Sequence, residues 1–535
     1  MPRHPSCPLL NRKSEALPVT SRRRLLAATA LALAAPRLGQ AQVFRSDLAA
    51  LALPVQQDDT TAQGYRRDPL VRWGDRVAFD APAWNPRQPE AEAAGLQFGW
   101  DAKVVALAVP PAGADGVPRA VLVVAHPTVN PAMAFPGGRD QPAVAAMMQG
   151  ASLLNIEKRG RWAVVDGGYQ NRRLHAQTLC RLSGPAAAAT GGTVQGLLGV
   201  QGGSETPWGT LLLAEADAAG WAQRLAGVDP RFGNPLGYGW VVELNPFDPQ
   251  AVPVKRTALG RLNHGDVAAT LARDGRAVVY STDRRAGGHL FRFLSTGPAT
   301  EADALDEGVL AVARIEGSTL RWVPLPADAA LDPVAAARAA GASALEMPAG
   351  LALDPRRPRL VLACRGSGGR PAGYVLEIIP AGEDDGAETA GIGLLFAAGS
   401  PQGGAQYGRA GLPAGSAFVE APESVAVDSR GRAWIGTDRE GVVGAQADGL
   451  FVVDLEGPGR GVPLPIYGAP RGAAVGGAAL TPDGEVLFTV ARHPGAEPGA
   501  SFARPATRWP AFEAGVPPRS TLIGIERAAG GPVGG

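Results

Sequence analysis

The stretch from Tyr238 to His264 gathers groups that could act on an anion: Lys255 and Arg256, then Arg261 after Gly260, then His264. Ammonium and guanidinium groups are pure donors, and the guanidinium fork matches the oxygen geometry of carboxylate and phosphate. The same cations serve equally as solvated surface or as protection of a strand edge. Elsewhere, Glu383-Asp384-Asp385-Gly386 is acidic but lacks the alternate-position spacing of a calcium loop, and it reads as a solvated turn. No G-x-S-x-G, Walker A or H-E-x-x-H pattern occurs, so serine hydrolase, P-loop and zincin chemistry have no motif behind them. Beyond the N-terminal segment that holds Cys7, only Cys180 and Cys364 remain, with no C-x-x-C spacing. They could pair, but read better as buried free thiols.

These residues must be positioned by short strands. Trp240 to Leu244 is strand-like and ends at Asn245-Pro246-Phe247-Asp248-Pro249, where two prolines forbid helical continuation. A polar loop follows, then the turn Asp274-Gly275 and a second strand, Ala277 to Tyr280, so the stretch reads as one antiparallel unit. Comparable runs recur along the chain, among them Val104 to Val109, Ala120 to Ala125, Leu211 to Glu215, Leu360 to Ala363, Ala433 to Thr437 and Val486 to Val490. An Asp-Gly type turn leads into a strand at Asp274, Asp428 and Asp483. A repeated turn of that kind favours a propeller over a sandwich, because each blade reuses one inner hairpin. Helices are few: Asp332 to Ala340, capped by Asp332 and stopped at Gly341, and Pro142 to Met148.

Composition points the same way. The 535 residues include 71 Gly and 48 Pro, with 45% hydrophobic and 19% charged residues, which suits sheets joined by tight turns. Ser21-Arg22-Arg23-Arg24-Leu25-Leu26, the apolar run Leu25 to Ala35 and the small residues up to Ala41 read as a twin-arginine export signal over residues 1–41. The run is about half of the ~20 residues a membrane span requires. That segment holds 7 of the 51 basic and 1 of the 50 acidic residues, so the remainder carries 44 against 49. Such a balance argues against a nucleic-acid partner. Residues 42–95, polar and proline-interrupted, read as a wrapping arm, and 96–535 as a single propeller domain.

Gly239-Trp240-Val241-Val242-Glu243 with Pro246-Phe247-Asp248-Pro249, and then Val254-Lys255-Arg256-Thr257-Ala258-Leu259-Gly260-Arg261, resembles the PhoX-type bacterial alkaline phosphatases. Further matching pieces are Thr206-Pro207-Trp208-Gly209-Thr210, Pro422 through Asp428, Trp434 to Asp438, Thr481-Pro482-Asp483 and His493-Pro494-Gly495. The resemblance implies an all-β, six-bladed β-propeller-like fold with a few short peripheral helices. It also implies an exported, metal-dependent phosphoric ester hydrolase with iron and calcium at its axis, held by Glu-rich motifs.

Those motifs are altered here. Where the resemblance implies Glu, the chain has Pro127, Gly265, Ala349 and Ala474. The thiol-bearing Asn-Cys-Ala-Gly-Gly segment reads Leu198-Gly199-Val200-Gln201-Gly202-Gly203, and the Arg of Arg-Pro-Glu is Met347. Ala214-Glu215-Ala216 and Thr282-Asp283-Arg284 keep one acid each. Multivalent hard cations need several anionic oxygens, so a full iron and calcium cluster is not expected. What remains as metal-ligand candidates is Glu215, Asp283, His126, His264 and His493, enough for one calcium or other divalent ion or for none. Lys255, Arg261 and Arg492 are the candidates for an anionic ligand, and Arg492 and Arg284 stand beside lost acids. Two readings follow: a phosphatase-family hydrolase, or a non-catalytic periplasmic or secreted propeller that binds a small anion or a protein. Both would be monomers without a transmembrane span in the mature chain, exported by the twin-arginine machinery.

Overall fold

The computed structural model describes residues 48–168, 171–442 and 444–535. The twin-arginine segment therefore lies outside the described residues. Six innermost strands stand side by side around one axis: Lys103–Ala108, Val200–Glu205, His264–Leu271, Pro348–Leu353, Pro422–Val427, and a broken pair, Ala474–Val475 with Ala479–Leu480. Each opens one sheet, antiparallel throughout except where Val254–Arg256 runs parallel to Leu179–Ser183 in the second, and these are blades I to VI of a β-propeller. Blades III and IV share an edge, where Thr319–Pro324 pairs with Thr389–Ala397. The expected six-bladed, all-β architecture is the observed one.

The Asp-Gly turns lie where a repeated hairpin requires them. Each of the three joins the innermost strand of its blade to the second: Asp274-Gly275 in blade III, Asp428 to Gly431 in blade V and Asp483-Gly484 in blade VI. The helices Pro142–Met148 and Pro333–Ala339 form as expected, the latter with the Asp332 carboxylate accepting from Ala335 N. A further helix, Ala218–Leu225, gave no clear signal in its Gly- and Ala-rich sequence.

Two expectations are corrected. Gly237 to Tyr280 is not one antiparallel unit but spans two blades. Val241–Leu244 and Val254–Arg256 are the third and fourth strands of blade II, while His264–Leu271 and Arg276–Asp283 open blade III. The supposed polar loop contains two strands. Their buried polar residues hide the pattern: Lys255, on the fourth strand of blade II, pairs with Glu215, and Asp266, in the inner ring, accepts from backbone amides of the neighbouring blades, while both ring nitrogens of the buried His264 lack a hydrogen-bond partner among the described residues. The N-terminal arm, for its part, is built into the sheets. Thr60–Thr61 pairs with the edge of blade V and Tyr65–Arg72 with Thr521–Arg527 of blade VI. Sequence masked the second strand because Pro69 and four charged residues interrupt it, which an edge strand tolerates.

Cys180 and Cys364 are both free and buried, and burial pushes each thiol up to about 12. Among the described residues no helix is long and apolar enough to cross a membrane.

Candidate functional site at the propeller axis

Antiparallel pairing sets the start of every innermost strand against the end of the second. The pairs are Lys103 with Ala125, Val200 with Glu215, His264 with Asp283, Pro348 with Cys364, Pro422 with Thr437, and Ala474 with Arg492. Six equivalent corners thus meet at one end of the axis, carrying His126, Glu215, Asp283 with Arg284, Arg365, Asp438 and Arg492. Just past each corner the innermost strand is irregular: five have a register shift, and blade VI breaks at Gly476-Gly477. Bulges re-aim side chains. Gln201 of blade II donates to Glu423 Oε1 of blade V at 3.0 Å, a contact between blades on opposite sides of the axis.

Ion pairs between blades fill this end. Arg492 donates from Nε and Nη2 to both oxygens of Asp101, at 3.0 and 2.8 Å, and from Nη1 to Asp438 Oδ2 at 2.8 Å. Arg284 donates to Glu423 Oε1 at 3.1 Å. Arg365 donates to the Asp438 carbonyl and to Glu440 Oε1, with Glu423 Oε2 3.8 Å from its Nε. Burial alone would raise the carboxyls of Asp101, Asp438 and Glu423. Arg492 outweighs it for the first, Arg492 and Arg365 for the second, and Arg284, Arg365 and Lys103 for the third, so all three lie below their ordinary range. The buried Lys103 ammonium has no hydrogen-bond partner and lies within electrostatic reach of Glu423 and Asp266.

Asp266 binds the ring itself. Its Oδ1 accepts from Gly203 N of blade II and its own neighbour Val267 N, and its Oδ2 accepts from Leu351 N of blade IV. One carboxylate therefore links three successive blades. Burial still pushes it up to about 6, against the nearby Lys103 and these three donors.

The five metal-ligand candidates are not assembled into one cage. Glu215 is saturated: Oε1 accepts from Lys255 Nζ at 2.7 Å and Leu198 N, and Oε2 from Gly239 N and Trp240 N. His126 is fixed between the Asp101 carbonyl and Ser152 Oγ. His264 and Asp283 are cross-strand partners, but Asp283 pairs with Arg285 at 3.0 Å. His493 stacks on Trp100. Among the described residues no group of three or more His, Cys, Asp or Glu is arranged to hold a metal ion. The anion candidates are likewise committed. Lys255 is wholly buried against Glu215, Arg261 donates to the carbonyls of Tyr238 and Pro235, and Arg492 is enclosed by two carboxylates. Sequence reasoning missed Asp101, Lys103, Gln201, Asp266, Arg365, Glu423 and Glu440. Glu423 and Asp438 lie within two of the segments that carry the family resemblance, Pro422 to Asp428 and Trp434 to Asp438, and that was the usable signal.

A metal cluster of the kind the resemblance implies does not fit these residues. The axial carboxylates already face guanidinium groups, and the inner ring has closed where acids are missing. A Cβ built on Gly265 would lie 2.7 Å from the Ala349 carbonyl and 2.8 Å from Thr282 Oγ1, so no side chain fits there. Gly265 and Ala349, two positions where the resemblance implies Glu, are thus packed against each other.

Burial holds the His264 imidazole down to about 4, which the carbonyls of Gly239 and Gly260 oppose only in part. An unfolded histidine takes up its proton near pH 6.5, so between that pH and about 4 the unfolded state binds more protons at this residue and folding loses its contribution as pH falls. The stability advantage of the wild type over His264→Gln should therefore shrink by about 3 kcal/mol between pH 7 and pH 4. Thermal unfolding of both proteins across that range checks it, and a pH-independent difference would contradict it.

The family profile described as Alkaline phosphatase PhoX matches residues 48–495. The fold and the corner motifs thus define a PhoX-type propeller, and the chain belongs to the PhoX alkaline phosphatase family. Among solved structures it is similar to Pseudomonas fluorescens PhoX in complex with vanadate, a transition state analogue, at 26% identity and a TM-score of 0.82, covering 91% of this chain and 99% of that one. It also aligns with a Xanthomonas campestris gluconolactonase at 13% identity, over 90% of this chain and 99% of that one, but the TM-score of 0.36 supports no comparison. A search of curated proteins gives no match.

Proposed function

We propose that this chain is an exported PhoX-family protein that binds a small oxyanion through Arg365, at the corner end of the axis, and does not run the multinuclear metal chemistry the family resemblance implies. Export rests on the twin-arginine pattern at Ser21 to Leu26, and a periplasmic or secreted location follows from it. The observation that carries the binding reading is the contact between Arg365 and Glu440. Arg365 is almost fully buried, with a side-chain exposure of 8%, while its partner Glu440 is 68% exposed. Glu440 also sits at φ +57, and Met347, Ala421 and His493, next to other corners of the axis, share that left-handed region. Non-glycine residues in that conformation cost about 1–3 kcal/mol each and gather at functional sites. An exposed carboxylate on a strained residue is a replaceable partner for a buried guanidinium, and a ligand carboxylate or phosphate offers the same oxygens. The vanadate held by the Pseudomonas relative is itself an oxyanion, which supports a ligand of this class.

Calorimetric titration with inorganic phosphate, sulfate and acetate tests this. Glu440→Gln should tighten oxyanion binding by roughly tenfold if the unshielded state is about a tenth populated, and Arg365→Met should abolish it. Equal affinities in all three proteins, or no binding by any, would refute the reading. Family membership supports a second reading, metal-dependent hydrolysis of a phosphoric ester, which turnover of a generic phosphomonoester by metal-loaded protein separates from the first.

A further inference from the structure

We infer that Arg492 is a built-in counter-cation, and that its guanidinium stands where the chain's own carboxylates would otherwise take up a divalent cation. Three acids from two blades converge on it. Asp101, which precedes blade I, meets it with both oxygens, and Asp438 of blade V with one. Glu423, also of blade V, lies within electrostatic reach. The arginine is 4% exposed, and Asp101 and Glu423 are 0% and 1% exposed. A buried charge persists only when it is paired, so these acids require a cation of some kind, and the fold supplies one covalently.

Two further observations mark the place as fitted to this side chain. A Cβ on Gly476 would lie 2.7 Å from Arg492 Cδ, so the backbone of the broken inner strand is moulded around the aliphatic stem. Glu423 Oε2 is buried without a hydrogen-bond partner at the edge of the cage, with Arg365 Nε 3.8 Å away. Oxygen ligands from several carboxylates are what calcium selects. With the guanidinium gone, Asp101, Asp438 and Glu423 would present such a set; with it in place Asp101 and Asp438 are neutralised by Arg492, while Glu423 is held by Arg284, Arg365 and Lys103. The inference does not depend on the oxyanion reading, which concerns Arg365 and Glu440.

Calcium chloride titrations of wild type and Arg492→Ala, read by calorimetry and thermal unfolding, test it. The wild type should show no heat of binding and the same Tm in EDTA as in millimolar calcium. Arg492→Ala should be strongly destabilised in EDTA, bind calcium, and regain several degrees of Tm with it, since a ligand that binds only the folded state stabilises it by mass action. The double variant Arg492→Ala/Asp101→Asn should lose that calcium response. A wild-type Tm that falls in EDTA, an Arg492→Ala protein indifferent to calcium, or a double variant that still responds would each overturn the inference. Should Arg492→Ala not fold with or without calcium, refolding of the wild type decides: equal yields in EDTA and in calcium support the inference, and calcium-dependent yields overturn it.

Discussion

Replacing Lys255 with Met is expected to cost about 3–5 kcal/mol, the penalty for leaving one member of a buried ion pair alone. Lys255 and Glu215 are both 0% exposed and 2.7 Å apart. The ammonium also donates to the Gly237 carbonyl and lies 4.5 Å from the Tyr238 ring centre. With the lysine gone, Glu215 keeps three backbone donors but no counter-charge in a site closed to water. The residue joins two strands of blade II to the loop before Val241, so the loss should unfold the protein as a unit rather than loosen a surface. Adding Glu215→Gln should cost less than the sum of the two single changes, because the second change removes the stranded charge that the first creates. Thermal and urea unfolding of the two single variants and the double measures this. Additive losses would show that the pair is not coupled.

Asp101→Asn should have an effect of similar size, about 3–5 kcal/mol. The carboxylate satisfies two guanidinium nitrogens of Arg492, the Thr128 hydroxyl and Ala102 N. An amide cannot accept with both arms, and Arg492 would keep only Asp438 as a direct counter-ion. Because Asp101 precedes blade I while Arg492 ends the second strand of blade VI, this contact also ties the first blade to the last. The exposed pair Arg66 and Glu526 provides the contrast. Arg66→Ala should leave the unfolding midpoint nearly unchanged, since water screens a surface pair. Unfolding midpoints of the two variants compare them, and equal losses would refute the claim that the axial pair matters more.

Much of the architecture was legible in the chain. Asp-Gly turns at Asp274, Asp428 and Asp483 marked the inner hairpins because that geometry demands those residue types. The helix at Pro333 announced itself by its cap and its stop. Strands with mixed polarity were not legible: His264–Leu271 carries a histidine and an aspartate into the inner ring, where amides of neighbouring blades satisfy Asp266, and no local pattern reports partners so distant in sequence. The site failed to show for the same reason. Arg492 and Asp101 are separated by 391 positions and Arg284 and Glu423 by 139, so their pairing is a product of ring closure alone. The family resemblance did flag Arg492 and Arg284 as cations beside missing acids, and both do sit on carboxylates. Lys255 and Arg261 looked like ligand contacts only because their buried acceptors, Glu215 and the carbonyls of Tyr238 and Pro235, could not be seen.

We propose that arginine and lysine side chains, rather than metal ions, balance the axial carboxylates. Elemental analysis of the protein recovered after export from its native host, joined to an assay for phosphomonoester turnover on the same sample, addresses it most directly. No stoichiometric iron or calcium and no turnover are expected. Firmly bound iron with calcium, accompanied by hydrolysis, would contradict it.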